Sequence, residues 1–172
     1  MVASGDELEG KLEEALSGWT HLVILGIGNE FGGDDKLGLL AAHRLKEALS
    51  DVSRVDILEA GNAPENFTGL LRKLSPSHTL LIDAAEVREE VGAVKIIEPQ
   101  EIQKQMPSTH SIPLYMLVNY LEHELGSKVI ILGIQAKKLS FGAPISEEVG
   151  NSVDQLVLML DRLLSNPPKV DV

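Results

Sequence analysis

Three short segments concentrate the side chains of this chain that could hold a metal ion or move a proton. Gly26-Ile-Gly28 runs straight into Asn29 and, after Phe31 and two glycines, into the paired carboxylates Asp34 and Asp35. Asp83 closes the apolar run Thr79-Leu-Leu-Ile, and His110 stands in Pro107-Ser-Thr-His. The chain has no cysteine. Disulfides, thiolate metal sites and thiol nucleophiles are therefore excluded together, leaving carboxylate, imidazole, hydroxyl and amide groups. Two carboxylates and an imidazole on separate segments can converge on a divalent ion and leave coordination positions open to an outside ligand. Each also has a plain structural reading. Asp35 could be a helix cap, where backbone N–H groups and the helix dipole favour the ionised form. Asp83 could be a buried aspartate accepting backbone hydrogen bonds, and His110 a surface loop residue with Ser111 as the actual cap. Asn29 either holds its loop through Asx hydrogen bonds or offers its amide to a ligand.

Other chemistries fit less well. Gly26-Ile-Gly28 begins like a dinucleotide fingerprint, but the third glycine of G-x-G-x-x-G would fall at Phe31. Two aspartates follow, and carboxylates at a pyrophosphate site repel the ligand, even though Glu59 ends the next apolar run as a ribose ligand would. No G-x-S-x-G elbow is present, and Ser111 or Thr109 beside His110 does not make a triad. His43 and His123 fall in helical segments, and His21 and His78 precede strands, positions that suit solvated or capping roles.

The elements that must position these groups follow from periodicity. Leu8, Leu12, Ala15, Leu16 and Trp19 recur at helical spacing between Glu and Lys, which predicts an amphipathic helix before the first strand. The run His21–Gly28 suits a strand buried on both faces of a parallel sheet. Asn29–Asp35 is a loop, and Lys36–Ser50 is a helix with Asp34 or Asp35 as its cap. Strands are expected at Arg54–Glu59, Thr79–Asp83 and Lys128–Ile134, with a helix over Glu65–Leu74. Gly92–Ile97 reads as an edge strand closed by Pro99. Pro107–His110 is a loop, Ile112–Leu125 a helix with Pro113 in its first turn, Gln135–Ile145 irregular, and Ser146–Leu164 a final amphipathic helix. The expected architecture is a three-layer α/β/α sandwich around a mostly parallel sheet with one antiparallel edge strand. Residues 1–20 are a helical extension, 21–165 the α/β domain and 166–172 a flexible tail. In such open sheets ligands bind beyond the carboxyl ends of the strands, where Asp35 and Asp83 fall.

The 172 residues carry 15 Lys and Arg against 26 Asp and Glu, a formal net charge of −11. A nonspecific binder of nucleic-acid backbones needs a basic face, so nucleic acid is a poor partner. The longest apolar runs are of strand length, no membrane insertion is expected, and the acidic Met1–Leu12 does not read as a signal peptide; the expected compartment is cytoplasmic.

Gly26-Ile-Gly-Asn-Glu-Phe-Gly-Gly-Asp-Asp-Lys-Leu-Gly38, Leu80-Leu-Ile-Asp-Ala84 and Ser108-Thr-His-Ser-Ile-Pro-Leu114 together resemble the hydrogenase maturation endopeptidases, most closely the HycI type. The resemblance spans roughly Leu22 to Leu164. It departs at Lys36, where the family often has Gly, and at the variable pair Glu30-Phe31, neither of which touches the three candidate ligands. It implies an aspartic-type peptidase that clips a C-terminal extension from a [NiFe]-hydrogenase large-subunit precursor after nickel insertion. It further implies that Asp35, Asp83 and His110 contact nickel supplied by that substrate and carry the catalysis, with Gly28 and Asn29 shaping the substrate cleft. No organic cofactor is implied. A noncatalytic metal-binding or chaperone module for hydrogenase assembly is the alternative use of the same scaffold.

Overall fold

The computed structural model describes residues 5–166, with 108–110 as backbone only. In chain order its elements are α1 (Gly5–Ala15), β1 (Leu22–Ile27), α2 (Leu37–Ala48), β2 (Val55–Gly61), α3 (Thr68–Leu74), β3 (His78–Ala85), β4 (Val94–Ile96), α4 (Ile102–Gln105), α5 (Ser108–His123), β5 (Lys128–Gln135) and α6 (Glu147–Ser165). Short 3-10 turns at Gly33–Lys36 and Pro64–Phe67 lead into α2 and α3. The expected tail, 166–172, lies outside the described residues apart from Asn166.

The strands form one sheet in the order β2-β1-β3-β5-β4. The first four are parallel, and β4 pairs antiparallel with β5 at the edge, Val94 opposite Ile134. β1 and β3 are buried along their whole length, as expected of central strands covered by helices on both faces. Alternate residues feed two apolar layers. Leu22, Ile24, Leu80 and Ile82 pack with α1, α2 and α6, whereas Val23, Leu25 and Leu81 pack with α3, α4 and α5. The three-layer sandwich is thus the observed architecture. α1 contributes Leu8 and Leu12, and the turn after it contributes Leu16, to the α2 and α6 layer, so its apolar stripe is covered by this chain's own core. No helix among the described residues is long and apolar enough to cross a membrane.

Four local expectations are corrected. β3 extends two residues past Asp83, because β5 continues to pair with it through Ala85 and Gln135. α5 starts at Ser108 and not at Ile112, with Pro107 as its N-cap. His110 therefore lies in the first helical turn and not in a loop. Ser111 donates its backbone N–H to the Pro107 carbonyl at 3.0 Å, so it is inside the helix and not its cap. Finally, neither Asp34 nor Asp35 caps α2: both lie in the 3-10 turn, and Lys36 occupies the N-cap position without a side-chain cap bond.

Candidate active site

The sheet divides between β1 and β3. From β1 the chain crosses through α2 to β2 on one side, while β3 leads towards β4 and β5 on the other. A crevice opens at the carboxyl end of such a pair, the standard ligand position in open α/β sheets. Pairing between β1 and β3 stops at Gly26 opposite Ile82, so Asp83 is the first β3 residue past the split. Asp83 is fully buried, and strand alternation puts it on the same face as Leu81 and Ala85, which α5 covers. Its Oδ1 accepts the Ala84 backbone N–H at 2.8 Å.

The loop after β1 folds back over this split, and glycines allow it to do so. Gly28 has φ +149°, and a Cβ there would strike the Asp35 carbonyl. That carbonyl accepts the Asn29 N–H at 3.1 Å. The Asn29 side chain accepts the Phe31 N–H at 3.0 Å, an Asx turn that stiffens the loop. A Cβ on Gly38 would run into the carbonyl oxygens of Ile27 and Ile82, so the first turn of α2 sits directly on the ends of β1 and β3. The turn carrying the half-buried Asp35 lies against β3 as a result.

The α4–α5 junction completes the surround. Glu86, just beyond β3, donates its N–H to the Gln105 carbonyl at 2.6 Å, which brings Pro107 and the first turn of α5, with His110, to the carboxyl end of the sheet. The fold therefore gathers the segments bearing Asp35, Asp83 and His110 at one end. Among the described residues no three His, Asp or Glu side chains group as a metal cluster, and the His110 side chain is not among those described.

Asp34 has a role that the sequence reading missed. It is fully buried. Its Oδ2 accepts the backbone N–H groups of Lys137 and Lys138 at 2.8 and 2.9 Å and the Ser146 hydroxyl at 2.8 Å, and its Oδ1 accepts the Ser146 N–H at 2.6 Å. Burial alone would raise this carboxyl; the hydrogen bonds from Ser146, Lys138 and Lys137 together outweigh it and hold the group below its ordinary range. The Asp34 N–H also reaches the Lys138 carbonyl at 2.7 Å, and Gly142 N–H reaches the Phe31 carbonyl at 2.8 Å. The Phe31 and Phe141 rings meet at a tilt of 41°, centroids 5.9 Å apart. Asp34 thus latches the β1–α2 loop to the irregular segment 136–145. The signal available in the sequence was the doublet itself, since neighbouring residues of a tight turn cannot point the same way.

The remaining candidates sort simply. Glu59, the would-be ribose ligand, is engaged by Lys46 at 2.8 Å and by His43 at 3.7 Å. His21 pairs with Asp56 at 2.6 Å. His78 is the first residue of β3 and is buried, not solvated. Burial first, and the Lys128 charge second, keep its imidazole below the usual histidine range.

Comparison with known proteins decides the family. The family model for HycI, hydrogenase maturation protease, matches residues 39–162. The chain belongs to the HycI hydrogenase maturation proteases. A chain of Methanocaldococcus jannaschii assigned to the hydrogenase maturation proteases is 39% identical over 159 residues, covering 89% of this chain and 94% of that one. The hydrogenase 3 maturation protease of Escherichia coli K12 is 32% identical over 140 residues, covering 81% and 88%. The crystal structure of the [NiFe] hydrogenase maturation protease HycI from Thermococcus kodakarensis superposes with a TM-score of 0.82 at 33% identity, covering 91% of this chain and 99% of that one. This protease is accordingly a peptidase, and the β1–β3 split is where its fold brings together the segments that bear Asp35 and Asp83.

Proposed function

We propose that the protein removes the C-terminal extension of a [NiFe]-hydrogenase large-subunit precursor once nickel has been inserted. The observation that carries this reading is the gathering of the Asp35, Asp83 and His110 segments at the β1–β3 split in a chain of the maturation-protease family. Two carboxylates and an imidazole suit a divalent ion of borderline softness and hold it less tenaciously than thiolates do. Such a set reads nickel already held by the substrate without extracting it, and the substrate supplies the remaining ligands. Nickel acts as the recognition signal, and one of the two carboxylates takes the proton of the water that attacks the scissile carbonyl. Gly28 and Asn29 shape the floor of the cleft. The cytoplasm is the compartment this reading gives the reaction.

The test is incubation with nickel-loaded and nickel-free precursor, followed by intact-mass measurement. A loss of the extension is expected from the nickel-loaded form alone. Equal processing of the nickel-free form overturns the signal role. Asp35→Asn, Asp83→Asn and His110→Ala are each expected to abolish processing in a folded protein, and near-normal rates in the Asp83 or His110 variant sink the assignment.

A further inference from the structure

A small pocket opens immediately beside the crevice. It has a volume of about 140 Å³ and is walled by Ala84, Ala85, Met106, Pro107, Ala136 and Leu139. Two of its walls border candidate functional groups, since Ala84 and Ala85 follow Asp83 on β3 and Met106 and Pro107 precede the α5 turn of His110, while Ala136 and Leu139 belong to the segment latched by Asp34. The two charged residues at its lining have their tips engaged elsewhere. Glu86 accepts the Gln135 side-chain amide at 3.3 Å, and the Lys137 ammonium reaches Glu148 at 3.1 Å. The interior is left to apolar groups.

We propose that this pocket takes one apolar side chain of the substrate polypeptide, at a residue flanking the bond to be cut, and so makes the protease selective for a residue of about the size of Leu or Met there. The inference rests on the proposed reading of the crevice as the cleavage site. A polypeptide whose scissile bond lies over Asp83 and the α5 turn must pass the pocket mouth, because the same strand and the same helix junction form both. The volume suits a single side chain: a dry apolar cavity of about 150 Å³ accommodates one benzene-sized group. The pocket is held open in advance. Ala136 N–H bonds the Ala85 carbonyl at 3.3 Å, and the Lys137 and Lys138 amides are fixed on Asp34. A wall that does not have to order itself on binding loses less affinity to entropy. The far larger groove between α1 and β4, about 730 Å³, includes Lys128 at the amino end of β5 and none of the candidate ligands, so it is not a competing place for this side chain.

The experiment competes pairs of nickel-loaded precursors, differing at one residue within a few positions of the cut, in a single reaction, and reads the product ratio by mass spectrometry. A ratio measured this way equals the ratio of kcat/KM values and is independent of how much enzyme is folded. With the wild-type chain, one flanking position should favour Leu or Met over Ala by roughly 10- to 100-fold, the range for methylene groups in an apolar pocket. Ala136→Leu fills the pocket and should reverse that preference towards Ala at the same position. Leu139→Ser opens and wets one wall and should weaken the preference several-fold; the exposure of Leu139 (49%) makes it a safe second variant if Ala136→Leu does not fold. Ratios unchanged by either variant at every flanking position overturn the pocket assignment alone. Failure of the wild-type chain to cut nickel-loaded precursor at all overturns the proposed function itself.

Discussion

Replacing Asp34 with Ala tests the latch, and its cost can be worked from the hydrogen bonds. Four donors converge on this carboxylate: the Lys137, Lys138 and Ser146 amides and the Ser146 hydroxyl. Hydrogen bonds to a charged acceptor contribute about 1.5–3 kcal/mol each, but exposed donors regain water when the acceptor is lost. Lys137 and Lys138 are exposed and Ser146 is half-buried, so the lower end and partial rehydration apply, and the net loss comes to roughly 3 kcal/mol. For a chain of this length that is a fall in Tm of about 6–12 °C. Asp34→Asn keeps the volume but turns an amide N–H₂ towards donors at one of the two oxygen positions, and about half of that loss is expected.

The pH dependence supplies an independent check on the mechanism. The folded Asp34 carboxyl lies below its ordinary value of 3.8, so as pH falls the unfolded chain takes up this proton first. The stabilisation is fully present above about pH 4 and is lost as pH falls below 3.8 towards the folded value. Chemical denaturation of the wild type and Asp34→Asn at stepped pH should show a constant gap near neutrality that closes in acid. A fall in Tm under about 2 °C for Asp34→Ala, or a gap that does not begin to narrow as pH falls below the ordinary carboxyl value, refutes the argument.

Two further outcomes are expected. Leu12 on α1 is fully buried in the core layer shared with α2 and α6, so Leu12→Ala should cost about 2–5 kcal/mol in denaturant melts while leaving processing per folded molecule unchanged; normal stability with lost processing would make α1 a recognition element. His78, held below its ordinary value of 6.5, should erode stability as pH falls from 6.5, because the unfolded chain binds that proton first; His78→Gln should flatten this part of the stability profile, and an unaltered slope contradicts the burial argument.

Much of the architecture was legible because the central strands are buried on both faces and their sequences are uninterrupted branched apolar runs. The edge strand was legible from Pro99 and its flanking charges, and α6 from its apolar repeat. What the sequence hid was tertiary in origin. Pro107-Ser-Thr-His reads as a loop because Ser and Thr favour local side-chain bonds over helix, yet packing against the end of β3 begins α5 at Ser108. β3 runs past Asp83 only because β5 accompanies it, and no property of Asp83 itself announces that. His78 looks solvated at a strand start but is covered, since the neighbouring β5 and the turn after α1 come from distant parts of the chain.

The Asp34-Asp35 doublet shows how adjacent identical residues acquire different work. A 3-10 turn advances about 120° per residue, so two consecutive side chains within Gly33–Lys36 must diverge. One enters the protein, where both oxygens of Asp34 are occupied by donors. A carboxylate so engaged cannot approach a metal ion or accept a proton from water without giving up those bonds, and their loss would release the segment bearing Leu139. In the proposed function the task of contacting substrate therefore falls to Asp35, in the same turn that lies against β3. Because the two aspartates are neighbours in sequence, the bonds that tie Asp34 to the 136–146 segment also fix the turn that carries Asp35 against β3.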